Sequence, residues 1–179
     1  MVYMFLANGF EEIEALCPLD LLRRAGVEVT TVGIGSDTLM GSHGIPVIAD
    51  IPEGMFADSN PEMIILPGGM PGSKNLDESR TVDMALSVAS RKGAFIAAIC
   101  AAPMVLGHRG LLADKEAICF PGFEKELTGA KISKKRVVRD GNIITAAGMG
   151  VALEFGLELV AALKGRDVAE NLRRAVLSD

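Results

Sequence analysis

Tryptophan is absent from this 179-residue chain, tyrosine occurs once, histidine twice and cysteine three times. Each scarcity excludes some chemistry. Cys17, Cys100 and Cys119 are too few and too widely spaced for a disulfide framework or a zinc site, so no metal is expected. That cysteine usage fits a reducing compartment, and the cytoplasm is the expected location. No apolar run reaches the roughly 20 residues that a bilayer span requires. The start, MVYMFLANGF, lacks a basic leader and soon reaches EEIE, so it reads as a first strand and not as a signal peptide. Positive charge is also in deficit. Eighteen Lys and Arg face 23 Asp and Glu, a net charge of −5, which argues against a general nucleic-acid partner. The one basic cluster, KISKKRVVRD (Lys131 to Asp140), reads as a solvated hairpin or loop edge. Linkers, repeats and low-complexity segments are missing, so residues 1–179 read as a single domain.

Apolar residues, by contrast, make up 49% of the chain, enough for a sizeable core. They fall into short β-type runs separated by helical patterns. VYMFLA (Val2 to Ala7) predicts a first strand. Ile13, Leu16, Leu19, Leu22 and Ala25 recur at helical spacing, with Pro18 as a kink candidate and Gly26 as a stop. VEVTTVGI (Val27 to Ile34) predicts a strand, and TLMGSHGIPVIAD (Thr38 to Asp50) two short β pieces about a Gly-rich turn. EMIILPGG (Glu62 to Gly69) and AFIAAI (Ala94 to Ile99) flank an amphipathic helix, Glu78 to Gly93. The second of these strands has no polar residue, as suits a parallel strand covered on both faces. AAPMVLGHRG looks helical, Asp140-Gly141 marks a hairpin, and Gly150 to Gly165 forms a final long helix. Such alternation predicts an α/β sandwich with a mostly parallel central sheet and helices on both faces.

Ligands of such sheets bind beyond the C-terminal strand ends. Three ends carry usable chemistry: NGFEEIE (Asn8 to Glu14), PGGMPGS (Pro67 to Ser73) and Cys100. A cysteine at a sharp strand-to-helix turn meets unpaired backbone N–H groups that favour its thiolate, and Ala101 and Ala102 permit the turn. Gly68 and Gly69 can offer N–H groups to an oxyanion, and a Glu of the first turn can shuttle a proton. Each feature also has an inert reading. Cys100 can be a core filler, Gly68-Gly69 a mere turn and EEIE a solvated helix start. Cys17 and Cys119 read as structural.

In combination, NGFEEIEALCPLDLLRRAG, ILPGG and AAICAAP resemble the ThiJ/PfpI superfamily, in particular its branch around the parkinsonism-associated protein DJ-one. The likeness covers essentially the whole chain, including KNLDES (Lys74 to Ser79) and EFGLELVAAL (Glu154 to Leu163). It implies a flavodoxin-like three-layer sandwich, a homodimer, a nucleophile-elbow cysteine at Cys100 and an acidic partner at Glu14. The oxyanion contacts map to Gly69 and the Ala101 N–H. Pairing is expected through the side of the first helix that carries Leu16 and Leu19.

Two departures bear on activity. Many members of the branch place a His about twenty residues after the cysteine, where this chain has Phe120, ahead of Pro121. The peptidase-like branch has a His directly after the nucleophile, where this chain has Ala101, which argues against proteolysis. The resemblance implies a cofactor-independent enzyme acting on small reactive dicarbonyls or their glycation adducts, of glyoxalase or deglycase type. The alternative is a non-enzymatic oxidative-stress sensor or redox-linked chaperone that works through Cys100. A role in thiamine synthesis has little support, since GIGSDTLMG (Gly33 to Gly41) lacks the Lys of a phosphate loop. The elbow reading also predicts a Cys100 pKa below the free-thiol value of about 8.5.

Overall fold

Alternation along the apolar strands sorts their side chains between two cores. A computed structural model describes residues 1–57 and 60–178. In chain order it contains β1 (Val2–Ala7), α1 (Glu12–Arg24), β2 (Val29–Ile34), β3 (Thr38–Met40), β4 (Pro46–Ile48), β5 (Ile51–Pro52), β6 (Met63–Leu66), α2 (Gly72–Asp77), α3 (Arg80–Lys92) and β7 (Phe95–Ile99). There follow α4 (Pro103–His108), β8 (Glu116–Ala117), β9 (Lys131–Ile132), β10 (Val137–Asp140), β11 (Ile143–Ala146), α5 (Ala152–Lys164) and α6 (Arg166–Ala175).

The main sheet has seven strands among the described residues, in the order β10-β11-β7-β6-β1-β2-β5. Only β10 runs antiparallel to its neighbour. Met4, Leu6, Met63, Ile65, Ala97 and Ile99 face a core closed by Leu22 of α1 and by Phe155 and Leu159 of α5. The intervening Phe5, Ala7, Ile64, Leu66, Ile96 and Ala98 face a second core, closed by Leu76, Leu86 and Val105 from α2, α3 and α4. The period-two alternation of a strand thus fills both sides of the sheet, and the expected three-layer, flavodoxin-like sandwich is what forms.

Local chemistry sets the element ends. Ser79 caps α3 by accepting the Val82 N–H at 3.3 Å, and Gly93 closes the helix at φ 68°. After α1 the Gly26 N–H returns to the Arg23 carbonyl at 3.0 Å, which makes Gly26 the stop read from sequence. Pro18 lies within α1, where its backbone meets α5 at Gly156. A Cβ on Gly156 would stand 2.6 Å from Leu21 Cδ1 and 2.9 Å from Pro18 Cα, so the glycine sets how closely these helices approach.

Three readings need correction. Leu19 is buried in the core between α1 and the sheet, because the helix turns it inward with Leu22; the exposed side of α1 carries Ile13 beside half-buried Leu16. Gly165, at φ 94°, does not end the helical region, and the strongly amphipathic α6 follows it. The short α2 was not anticipated, since GSKNLD has too few apolar residues to show a period. The basic cluster lies at the sheet edge, and three of its side chains pair with acids. Lys135 pairs with Glu116 at 3.3 Å, Arg136 with Glu154 at 3.8 Å and Arg139 with Glu158 at 3.6 Å. Among the described residues, no helix is long and apolar enough to cross a membrane.

Candidate active site at four strand ends

The order β11-β7-β6-β1 places four parallel strand ends side by side. Three are the ends picked out in the sequence. The fourth, after β11, brings Gly148 and Met149; from sequence alone β11 reads only as the second arm of a hairpin. Its pairing on the other side is parallel to β7, so the same strand-end rule applies to it.

Cys100 follows β7 at φ 65°, a left-handed conformation unusual for a residue with a side chain. The elbow is held from both sides. The Cys100 N–H donates to the Ala146 carbonyl at 2.9 Å, and its own carbonyl accepts the Phe120 N–H at 2.8 Å. The Ala102 N–H closes the turn onto the Ile99 carbonyl at 3.0 Å, with α4 beginning at Pro103. Such strain costs about 1–3 kcal/mol and persists because these bonds determine the turn. The sulfur faces the N–H groups of Gly69 and Ala101.

Glu14 comes from the first turn of α1. Its N–H donates to the Glu11 carboxylate at 2.7 Å, and its side chain is only 1% exposed. It is therefore not a solvated helix start. A Cβ on Gly68 would overlap Glu14 Oε2 and stand 2.6 Å from Cys100 Cβ. The carboxyl and the cysteine thus converge on space that only glycine leaves open. The Gly68 carbonyl accepts the Glu11 N–H at 2.9 Å, fastening the β6 loop to the β1 loop. The Gly68 N–H turns toward Glu14 and not toward the sulfur, which separates its place from those of Gly69 and Ala101. Gly69 has to be glycine on two counts, its φ of 90° and the Gly9 carbonyl oxygen that would stand 2.6 Å from a Cβ there.

Glu14 Oε2 is buried without a hydrogen-bond partner. Burial pushes this carboxyl from 4.5 up to about 7; a hydrogen bond with Cys100 opposes the rise, and the Glu11 charge adds to it. Burial also pushes the Cys100 thiol up, to about 12, with the Glu14 charge adding to the rise and the Gly69 and Ala101 N–H groups opposing it. The expected low thiol pKa is therefore not reached while Glu14 is ionised, because the sulfur is half-buried beside that carboxylate. The two groups behave as a pair, titrating near 7 and near 12 and holding one proton between them over the interval.

The remaining candidates lie elsewhere. Burial pushes Cys119 up to about 11, and it packs in the core opposite the one that Cys100 borders. Cys17 is half-buried against α5, and its thiol too is raised by burial. Neither histidine joins the pair. His108 Nδ1 lies 2.7 Å from Asp77 and its Nε2 2.9 Å from Glu126. His43 Nδ1 lies 2.8 Å from Glu12, whose carboxylate also accepts the His43 N–H at 2.7 Å and pins the β3–β4 hairpin to α1. Glu11, Glu12 and His43 bring ligand-type atoms within 4.8 Å of one another. Glu12, however, is already engaged by the hairpin, which holds its pKa down at about 2 against the effect of burial. Its burial was not foreseen.

Phe120 occupies the place beside the elbow where the resemblance implies a His. A Cβ on Gly148 would stand 3.2 Å from Phe120 Cδ2 and 3.9 Å from Glu14 Oε1, so ring and carboxyl flank the same glycine.

Known proteins share this arrangement of chain. Residues 1–162 match the model of the DJ-1/PfpI family. Protein dj-1beta of Drosophila melanogaster is 34% identical over 97% of this chain and 95% of its own. The glutathione-independent glyoxalase DJR-1.2 of Caenorhabditis elegans is 31% identical over 90% of this chain and 87% of its own. The solved structure of oxidized Toxoplasma gondii DJ-1 matches with a TM-score of 0.94 at 32% identity, covering 98% of this chain and 97% of that one. With the family model spanning the strand-end glycines, the elbow and the first-helix Glu alike, this chain belongs to the DJ-1/PfpI family.

Proposed function

We propose that the chain is a cysteine-dependent, cofactor-independent enzyme acting on small reactive dicarbonyls, with glycation adducts as related substrates. The observation that carries this reading is the buried, unpartnered Glu14 oxygen beside a strained Cys100. In the reactive tautomer the shared proton sits on Glu14. The sulfur then carries the charge, facing two backbone N–H donors and the protonated carboxyl.

The thiolate adds to the aldehyde carbon of a 2-oxoaldehyde. The carbonyl oxygen takes the Glu14 proton and a hemithioacetal forms, with the Gly69 and Ala101 N–H groups as donors to the developing oxyanion. Glu14, now a carboxylate, removes the proton from that carbon to give an enediolate and returns it to the second carbon, while the hydroxyl proton of the first carbon passes to the oxygen of the second. The first carbon becomes a thioester and the second an alcohol. Water cleaves the thioester, releasing a 2-hydroxy acid and the free cysteine. For methylglyoxal the sum is methylglyoxal plus water to lactate, with no net redox change. That a C. elegans relative is named a glutathione-independent glyoxalase agrees with this reading.

The test is turnover. Wild type should form lactate over many enzyme equivalents, and Cys100→Ser none. Product stopping at one equivalent per cysteine would reject the enzyme. That outcome favours the second reading, an oxidation sensor. Two successive peroxide equivalents would take the Cys100 thiolate to the sulfenate and then the sulfinate, releasing water each time. The N–H groups facing the sulfur suit a sulfinate, and Cys119, in the opposite core, is poorly placed to intercept the sulfenate as a disulfide. We also read the exposed side of α1, with Ile13 beside Leu16, as the pairing face of a homodimer.

A further inference from the structure

Large apolar residues adjoin the site along the chain. Three of the large apolar side chains that stand exposed are tied by their own backbone, or by the residue next to them, to the reacting pair. Phe120, 48% exposed, donates its N–H to the Cys100 carbonyl at 2.8 Å. Met149, 49% exposed, directs its N–H toward Glu14. Met70, 47% exposed, directly follows Gly69, whose N–H faces the sulfur. The Phe120 ring edge lies over Gly148, the glycine that also borders Glu14 Oε1. The two histidines are occupied elsewhere, His43 with Glu12 and His108 with Asp77 and Glu126.

We infer that Phe120, with Met149 and Met70, makes this a site for 2-oxoaldehydes bearing an aryl or bulky alkyl substituent, in preference to methylglyoxal. The inference rests on the dicarbonyl reading above. Its physical basis is differential burial. Sulfur attack fixes the aldehyde carbon over Cys100, so the substituent on the second carbonyl must project from the elbow toward its rim. A methyl group offers little area to remove from water there. An aryl group covers more, and it can meet the Phe120 ring edge-on or offset. Apolar walls also disfavour the hydrated aldehyde, which the thiolate cannot attack.

The experiment compares phenylglyoxal with methylglyoxal by kcat/KM, following mandelate and lactate. Each product is its substrate plus one water. Wild type should favour phenylglyoxal by about tenfold or more. In Phe120→Ala that ratio should fall by roughly tenfold, and in Met149→Ala by a smaller factor. Using a ratio removes any general loss of active protein. A wild-type preference for methylglyoxal, or a ratio unchanged in Phe120→Ala, overturns the inference.

If wild type turns over neither aldehyde, the dicarbonyl reading has failed, and the rim is judged by alkylation of Cys100 with 2-bromoacetophenone against chloroacetone, read by peptide mass spectrometry. An aryl preference that falls in Phe120→Ala sustains the apolar rim as a feature of whatever electrophile the cysteine meets. An equal ratio in the two proteins overturns it.

Discussion

Replacing Glu14 by Leu separates the two positions of the shared proton, because they predict opposite signs. With the proton on Glu14, the Cys100 thiolate appears with the first ionisation of the pair. Leu then removes a donor to a charged sulfur, a loss of roughly 1.5–3 kcal/mol. At 1.36 kcal/mol per unit, the thiol midpoint should climb by about one to two units. Well below the wild-type midpoint the thiolate fraction should fall about ten- to a hundredfold. With the proton on sulfur, Leu instead removes a carboxylate that holds the thiol up, and alkylation at neutral pH speeds up.

The assay is the rate of iodoacetamide modification of Cys100 between pH 5 and 10, followed peptide by peptide so that Cys17 and Cys119 serve as internal references. Cys100 should be modified first in the wild type. Glu14→Gln supplies the control. It keeps an N–H donor, so the midpoint should stay close to wild type, while lactate formation stops because an amide cannot accept the proton. A faster Cys100 in Glu14→Leu refutes the proposed tautomer. An unchanged rate refutes the coupling itself, and returns the cysteine to the role of core filler.

Glu14 also makes stability depend on pH. Burial raises that carboxyl from 4.5 to about 7, so the folded pair gives up its first proton near 7 where the unfolded carboxyl gives one up near 4.5; the contribution is fully present below 4.5 and lost as pH rises through 7. Relative to Glu14→Gln, the wild type should lose about 3 kcal/mol between pH 4.5 and 8, measured by urea unfolding; parallel curves would contradict this. Gly156→Ala should destabilise by about 1–3 kcal/mol, because Pro18 Cα belongs to the backbone and cannot yield. Thermal unfolding should show this as a drop of roughly 2–4 °C per kcal/mol. Light scattering at micromolar concentration should give a dimer mass for the wild type and a monomer for Ile13→Glu; a monomeric wild type would remove the pairing proposal.

The strands and the elbow were legible because their signals are local. A run such as AFIAAI has no polar residue to place on a wet face, so it has to be covered on both sides, and the strand end beyond it is fixed by that alone. The glycines at 68 and 69 and the small Ala101 were legible as permissive residues, though only the assembled site shows that Gly68 yields its space to Glu14 and Cys100 while Gly69 and Ala101 turn their N–H groups to the sulfur. Nothing in GSKNLD announces α2, which forms where the Gly72 N–H meets the Gly9 carbonyl at 3.2 Å, 63 positions away in the chain.

The acidic run EEIE was the hardest to read, and the reason is physical. Acids in a first helical turn are stabilised by the helix N-terminus whether solvated or buried, so the sequence pattern is the same in both cases. Their fates are decided by partners that lie far along the chain. Glu12 meets the β3–β4 hairpin and finds donors at His43, so it stays ionised despite burial, at about 2. Glu14, two residues on, is turned toward the sheet edge, finds a sulfur in place of a cation and leaves one oxygen unsatisfied, so it is raised to about 7. Two buried carboxylates on one turn are thereby driven to opposite ends of their titration range, one to hold the hairpin and one to trade a proton with Cys100. Exchanging their surroundings should exchange their behaviour. His43→Ala strips Glu12 of its ring partner and should raise that carboxyl toward the usual range, while leaving the Cys100 alkylation profile where it was. A shift of that profile in His43→Ala would mean that the hairpin and the reacting pair are electrostatically joined, and that Glu14 does not act on the sulfur alone.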